Sequence, residues 1–185
     1  MILSNLVVAS EYSEQLIDAE LARARQDPDN STTLNVFQPI ELVFDALLAR
    51  LAEYSEDIES IEFDNNGSDG ALTLGVGSER ITTMEDGKRL IQRIVVFDPP
   101  NTFAYFTDMA KSTVSAPIDY SIGYYSFSEQ QDGSVEARVS MTYKPSSRLT
   151  SFLVRLGFSR ALSSDFRKAE AYLNSLTAED ERSTP

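Results

Sequence analysis

The sequence predicts an α+β domain in which a curved antiparallel sheet of about six to seven strands wraps around a long C-terminal helix. Segments of alternating apolar and polar residues recur between residues 58 and 144, separated by turn-forming clusters such as Asp132-Gly133. An amphipathic run of helical period follows, from residue 145 to 176. Because a sheet of many short strands must bury one face, we expect this run to lie across it.

The first part of the chain predicts helix, strand and helix. Residues 12–26 carry apolar side chains at helical spacing and predict an extra N-terminal helix, which either packs on the domain or binds a partner. Residues 32–37 are β-prone. Pro39 then begins an amphipathic helix, because the N–H that proline lacks has no intrahelical partner in the first turn.

The middle of the chain predicts the sheet, and the end predicts the long helix. The predicted strands cover residues 58–63, 71–83, 88–97, 102–107, 118–129 and 134–144. The C-terminal helix has two apolar stripes with a shift of phase between them, and Gly157 marks a predicted bend there. The first stripe is Leu149, Phe152, Leu153 and Leu156; the second is Leu162, Phe166, Ala169, Leu173 and Leu176.

Charge and composition exclude several classes of function. The net charge of −13, from 29 acidic and 16 basic residues, argues against nucleic-acid binding, which depends on Lys and Arg. With no cysteine and no histidine, thiolate and imidazole chemistry is excluded, and we expect no cofactor and no metal site. Residues 1–10 are apolar but too short for a membrane span and lack the basic residues of a secretory signal. We therefore predict a cytoplasmic protein without stable membrane insertion.

The order of elements from residue 32 to 176 resembles the helix-grip fold of the START-related lipid-transfer and polyketide cyclase superfamily, which includes birch-pollen-allergen-like proteins. The resemblance implies a hydrophobic tunnel between sheet and helix, and it divides the chain into an N-terminal helical extension (1–31), a ligand-binding domain (32–176) and a frayed tail (177–185). The stretches that carry it are Leu34-Asn35-Val36, the Pro39 helix, the Gly75 to Arg80 strand, Ile94 to Pro100 and the final helix.

Strand parity selects candidate cavity residues, because alternate side chains point to the same face. In residues 71–83 the apolar set that begins at Leu72 carries Arg80 inward with it. Aromatic residues on both faces of the strand from residue 118 leave Tyr124 and Tyr125 undecided by parity. The candidate ligand-binding residues are Leu74, Val76, Arg80, Gln92, Ile94, Tyr124, Met141, Tyr143, Leu149, Phe152 and Leu156.

Three of these candidates are polar residues on an apolar face: Arg80, Gln92 and Tyr143. They either orient a carboxylate, carbonyl or hydroxyl of a ligand or lie at the mouth and pair with acidic residues. The principal hypothesis is a carrier or sensor of a small hydrophobic molecule such as a lipid, quinone or polyketide. The alternatives are a cofactor-free enzyme of the cyclase or dehydratase type and a protein-binding adaptor that resembles the activators of heat-shock ATPases.

Overall fold

A computed structural model describes residues 12–70, 72–147 and 151–183, with side chains up to residue 176. Two helices and a strand come first, six further strands follow, and a long helix ends the described chain. The helices are α1 (Glu14–Gln26), α2 (Ile40–Ala49) and α3 (Ser151–Ser183). The strands are β1 (Asn30–Val36), β2 (Ile58–Asp64), β3 (Glu79–Met84), β4 (Arg89–Asp98), β5 (Thr102–Asp108), β6 (Ile118–Glu129) and β7 (Val135–Pro145).

The seven strands form one antiparallel sheet in the order β1-β7-β6-β5-β4-β3-β2. The six consecutive strands β2 to β7 form a meander. β1 pairs with the last of them, β7, and is therefore the edge strand opposite β2. The inner face of the curved sheet packs against α2 and α3. The predicted fold class, a sheet of about six to seven strands around a C-terminal helix, is thus confirmed.

Helix α1 packs on the opposite, outer face of the sheet. The side chain of its N-cap residue, Ser13, accepts a hydrogen bond from the backbone N–H of Leu16, which satisfies one of the unpaired donors at the helix start. Its apolar stripe contains Ile17 and Leu21, which are buried against Phe106 and neighbouring residues. Of the two predicted roles for the N-terminal helix, packing on the domain is the one observed.

One half of the interior is solid. Phe44 of α2 contacts the rings of Phe103 and Phe127 at centroid distances of 5.3 and 5.2 Å. Tyr125 stacks on the other side of Phe103, at 4.4 Å. These buried rings fill the space between α2 and the sheet.

The predicted strand over residues 71–83 is wrong in its first part. Strand β3 begins only at Glu79, and the preceding residues form a glycine-rich loop in which Leu72 has a φ of 73° and an exposed fraction of 71%. Gly77, with a φ of 92°, lies so close to Gly67 that a Cβ would come within 2.1 Å of the Gly67 carbonyl oxygen. Glycine contributes no side chain to strand packing, and here it permits a tight loop instead.

Strict alternation along β4 would place Val96 on the inner face together with Ile94, but the alternation holds only up to Ile94. A β-bulge between Ile94 and Val96 adds a residue to β4, since Ile94 pairs with Tyr105 and Val96 with Ala104. Val96 consequently packs with the outer cluster under α1, whereas Ile94 is buried in the inner core. The alternation of the sequence gives no sign of this extra residue.

The first predicted stripe of the C-terminal helix is also wrong. Phe152, Leu153 and Leu156 have exposed fractions of 74, 67 and 39%. The buried face of α3 instead begins at Val154 and Phe158 and continues without a break into Leu162, Phe166, Ala169 and Leu173, the second predicted stripe. Because α3 continues as one helix through Gly157, a single stripe faces the sheet along its length.

Along the described chain, none of the helices has both the length and the apolar character needed to cross a membrane.

Candidate functional site

A cavity of about 320 Å³ lies between α3, the inner face of the sheet from β2 to β7 and the short helical turn that follows α2. Its wall is largely apolar. The sheet contributes Leu90 and Ile118, the connection between β5 and β6 contributes Met109, and α3 contributes Phe158 and Leu162. An apolar wall of this extent, with a small number of polar groups, is typical of sites for small organic molecules.

Five polar residues form a row across the sheet, one on each strand from β3 to β7. The pairing register places Arg80 of β3 opposite Gln92 of β4, Gln92 opposite Thr107 of β5, Thr107 opposite Ser121 of β6, and Ser121 opposite Tyr143 of β7. We call these five residues the polar row. Its first four members line the cavity. All five are buried, and because directly paired residues of neighbouring strands project to the same face, Tyr143 shares the face of the four that line the cavity.

Arg80 is the cationic member of the polar row and has an exposed fraction of only 2%. Its Nε and Nη2 atoms donate hydrogen bonds to Gln92 Oε1 at 3.0 and 2.6 Å. Nη1 donates to the carbonyl oxygens of Leu48 and Leu47, at 3.1 and 3.4 Å, in the last turn of α2. The guanidinium also lies over the ring of Tyr105, 4.6 Å from its centroid. Arg80 therefore caps α2 while it borders the cavity.

Two buried tyrosines separate the cavity from the aromatic core. The hydroxyl oxygens of Tyr105 and Tyr125 are 3.2 Å apart and share a hydrogen bond, and both residues line the cavity. Burial raises the pKa of Tyr125 well above its ordinary value, and the neighbouring Tyr105 adds to this effect. Tyr125 therefore keeps its proton at neutral pH and acts as a hydrogen-bonding group.

Exposed residues of α3 mark the rim of the cavity. Ala161 and Asp165 line it and are exposed, whereas Leu162 and Phe166 lie deeper. Partial burial of the carboxylate raises the pKa of Asp165, an effect that the positive charge of Lys168 opposes. Among the described residues that line the cavity, Asp165 is the sole carboxylate.

The structure brings three of the candidate residues to the cavity wall: Arg80, Gln92 and Met141. Tyr143 lies on the same face, but its ring stacks on Phe158 at 4.8 Å and its hydroxyl donates to Asn30 Oδ1 at 2.8 Å. That these residues bind a ligand stays a prediction.

The other candidates that the structure describes do not line the cavity. Ile94 is fully buried in the core, and Tyr124 lies on the outer face, where Arg25 of α1 covers its ring. Leu74 and Val76 belong to the glycine-rich loop, and Phe152 and Leu156 lie on the exposed side of α3. Leu149 is outside the described residues.

Sequence reasoning missed several cavity residues. Thr107 and Tyr105 on β5 and Ser121 on β6 are identified only by strand register. Both strands carry buried residues on both faces, so the sequence shows no alternation between apolar and polar residues that would tell the inner face from the outer one. Phe158 had a usable signal: it lies four residues before Leu162, a member of the second apolar stripe, and so on the same helix face.

No protein-family model matches the chain, and no curated protein matches it in sequence. Solved structures do match. Protein XoxI from Bacillus cereus has a TM-score of 0.62 and 16% identity, over 80% of this chain and 96% of that one. Ara h 8.0201 has a TM-score of 0.60 and 20% identity, over 78% and 96%. TTHA0849 from Thermus thermophilus has a TM-score of 0.58 and 15% identity, over 80% and 97%. At these identities the likeness concerns the fold alone, and the chain has the helix-grip fold.

Proposed function

We propose that this protein binds and carries a small hydrophobic molecule in the cavity between the sheet and α3, as a member of the START-related superfamily. The observation that carries the proposal is the cavity itself: about 320 Å³, walled mainly by aliphatic and aromatic side chains, with a small number of polar groups that include four members of the polar row. An apolar ligand would gain about 25 cal/mol for each Å² of surface that it removes from water there. A lipid, quinone or polyketide-like molecule meets this description.

Binding is better supported than catalysis because, in the part of the chain that the structure describes, the cavity wall holds no carboxylate base away from its rim. A cofactor-free cyclisation needs a group that removes a proton and a partner for the developing oxyanion. Arg80 and the tyrosine pair could serve as that partner. The one carboxylate among the described lining residues, Asp165, lies at the exposed rim, and the raised pKa of Tyr125 makes it a poor proton donor.

The cyclase alternative nevertheless rests on a specific observation, the buried cluster of Arg80, Gln92, Thr107 and the two tyrosines. It predicts that a synthetic poly-β-keto thioester is converted to a cyclised product faster with the protein than with buffer, as followed by liquid chromatography and mass spectrometry. The adaptor alternative has weaker support. A protein that acts through its outer surface is expected to have a closed, packed interior, whereas this interior contains a cavity.

Uptake of a neutral fluorescent probe, N-phenyl-1-naphthylamine, tests the binding proposal. We expect saturable binding with enhanced fluorescence, and loss of binding in Ser121→Phe, which places a ring in the cavity. The Ser121 hydroxyl has no hydrogen-bond partner among the described residues, so its replacement breaks no observed bond. The variant should therefore remain folded, as circular dichroism would verify.

Phe152→Trp is the matched control, because it adds aromatic bulk at a residue with an exposed fraction of 74%. It should bind the probe as the wild type does. Equal probe binding by Ser121→Phe and the wild type would place the probe elsewhere and contradict the proposal.

A further inference from the structure

The charge of Arg80 has no carboxylate partner among the described residues. Its partners are the amide oxygen of Gln92, two carbonyl oxygens at the end of α2 and the face of Tyr105, all of which are uncharged. No ion pair within 4.0 Å joins Arg80 to a carboxylate of the described residues. Asp165 borders the same cavity, but its carboxylate lies more than 4.0 Å from the Arg80 nitrogens and is partly accessible to water, which screens its charge. A positive charge is thus held at the inner wall of an apolar cavity.

Hydroxyl donors lie beside this charge. Gln92 Nε2 donates to Thr107 Oγ1 at 3.3 Å, which leaves the Thr107 hydroxyl proton without an acceptor among the described residues. Ser121, the next member of the polar row, and Thr82 on β3 also line the cavity, and neither hydroxyl is bonded to another described residue. The polar row therefore presents a cation and free hydroxyl protons to the cavity, and the acceptor that would satisfy both is an anionic oxygen group.

We propose that the ligand is an amphipathic monocarboxylic acid, whose carboxylate accepts hydrogen bonds from Thr107 and Ser121 next to Arg80 and whose apolar body fills the space toward Phe158 and Leu162. This inference rests on the proposed function and specifies its ligand class. The cavity volume equals that of about ten water molecules in the liquid. A medium-chain acid of about ten carbon atoms is the appropriate probe.

The comparison of decanoate with decan-1-ol tests the inference on the wild-type protein. The two have the same chain length and differ in the charge of the head group at pH 8, where a carboxylic acid is ionised. A cavity without a cation favours the alcohol, because burying an unpaired carboxylate is costly. With Arg80 at the wall, we expect decanoate to bind at least about tenfold more tightly in isothermal titration calorimetry.

A variant that keeps the shape of the site tests whether the charge of Arg80 causes the preference for decanoate over decan-1-ol. Gln92→Glu is isosteric and places a carboxylate on the Nε and Nη2 atoms of Arg80, which neutralises the guanidinium. Decanoate affinity should fall by about tenfold or more, whereas decan-1-ol affinity should change little. Gln130→Glu, in the exposed turn between β6 and β7, makes the same change in net charge and should preserve the decanoate preference.

Several results would overturn the inference while leaving the proposed function intact. Decan-1-ol that binds as tightly as decanoate is one, and decanoate that fails to bind where N-phenyl-1-naphthylamine binds is another. Equal losses for both ligands in Gln92→Glu would also exclude Arg80 as the source of the preference. If neither ligand nor the neutral probe binds, the proposed function itself fails.

Discussion

The ring of Tyr105 occupies the space in which a side chain at Gly123 would lie. A Cβ built on Gly123, which pairs with Tyr105 across β5 and β6, would be 2.6 Å from Tyr105 Cζ and 2.9 Å from the hydroxyl oxygen. This close approach holds the ring flat against β6, beneath the guanidinium of Arg80 and within hydrogen-bonding distance of Tyr125. The absence of a side chain at Gly123 thus allows the Tyr105 ring to lie at the cavity wall beside Arg80.

Gly123→Ala should move this ring and weaken the site. Because Tyr105 is enclosed by Arg80 and Tyr125, its displacement amounts to overpacking, and we expect a loss of about 1–3 kcal/mol in the free energy of unfolding by urea denaturation. Gly157→Ala is the control: a Cβ there meets nothing within 4 Å, and alanine in a helix should stabilise by up to about 1 kcal/mol. A Gly123→Ala protein as stable as the wild type would show that the ring moves freely.

Phe44→Ala should be among the most destabilising single substitutions in the core. Phe44 is buried and contacts the rings of Phe97, Phe103 and Phe127, so its removal leaves a void in the solid half of the interior. We expect a loss of about 3–5 kcal/mol in the free energy of unfolding. Phe37→Ala, at a residue with an exposed fraction of 68%, should change this free energy by less than about 0.5 kcal/mol. Comparable losses in the two variants would contradict the assigned core.

Asp165→Asn should stabilise the protein at neutral pH. Partial burial raises the pKa of Asp165 in the folded state, so the folded protein binds this proton more tightly than the unfolded chain. The ionised carboxylate therefore lowers the stability of the folded state. This loss of stability has its full value above the folded pKa and disappears as the pH falls toward the ordinary carboxyl value near 4. The stability difference between variant and wild type should therefore shrink on acidification, as measured by urea denaturation from pH 7 to pH 4.

Asp132→Asn should change the stability at neutral pH in the opposite direction. The hydrogen bonds from Ser134 lower the pKa of Asp132, so its carboxylate contributes stability above the ordinary value and loses it as the pH falls through the folded pKa. This variant should be less stable than the wild type at neutral pH and approach it as the pH falls below about 4, as measured by urea denaturation. Stability differences of the same sign for the Asp132 and Asp165 variants at neutral pH would refute at least one of the two assignments.

Tyr120 should make the fold sensitive to alkali. Burial, with the neighbouring charge of Glu20, raises the pKa of Tyr120 to about 12, whereas a free tyrosine ionises near pH 10. The contribution of Tyr120 is therefore present below pH 10 and is lost as the pH rises toward its folded pKa. Tyr120→Phe should show a shallower decline of thermal stability between about pH 10 and pH 12. An unchanged slope would indicate that other groups govern alkaline unfolding.

Some elements were predicted from the sequence because their signals are local. The Pro39 start places α2 correctly, and the Asp132-Gly133 turn places β6 and β7 within one residue of the predicted bounds. The buried face of α3 from Leu162 to Leu173 follows from helical period. Arg80 and Gln92 were also placed inward, although the alternation of Leu72 and Leu74 that suggested it for Arg80 belongs to a loop.

The sequence by itself determined the fold class, the antiparallel meander and the long C-terminal helix, because turns, periodicity and proline positions act within a few residues. The tertiary structure alone decided which residues meet at the cavity. The bulge after Ile94 and the register that aligns Thr107 with Ser121 depend on pairing between strands, and the approach of Tyr105 to Gly123 depends on packing between side chains. Such contacts join residues distant in the chain, and no periodicity within one segment encodes them.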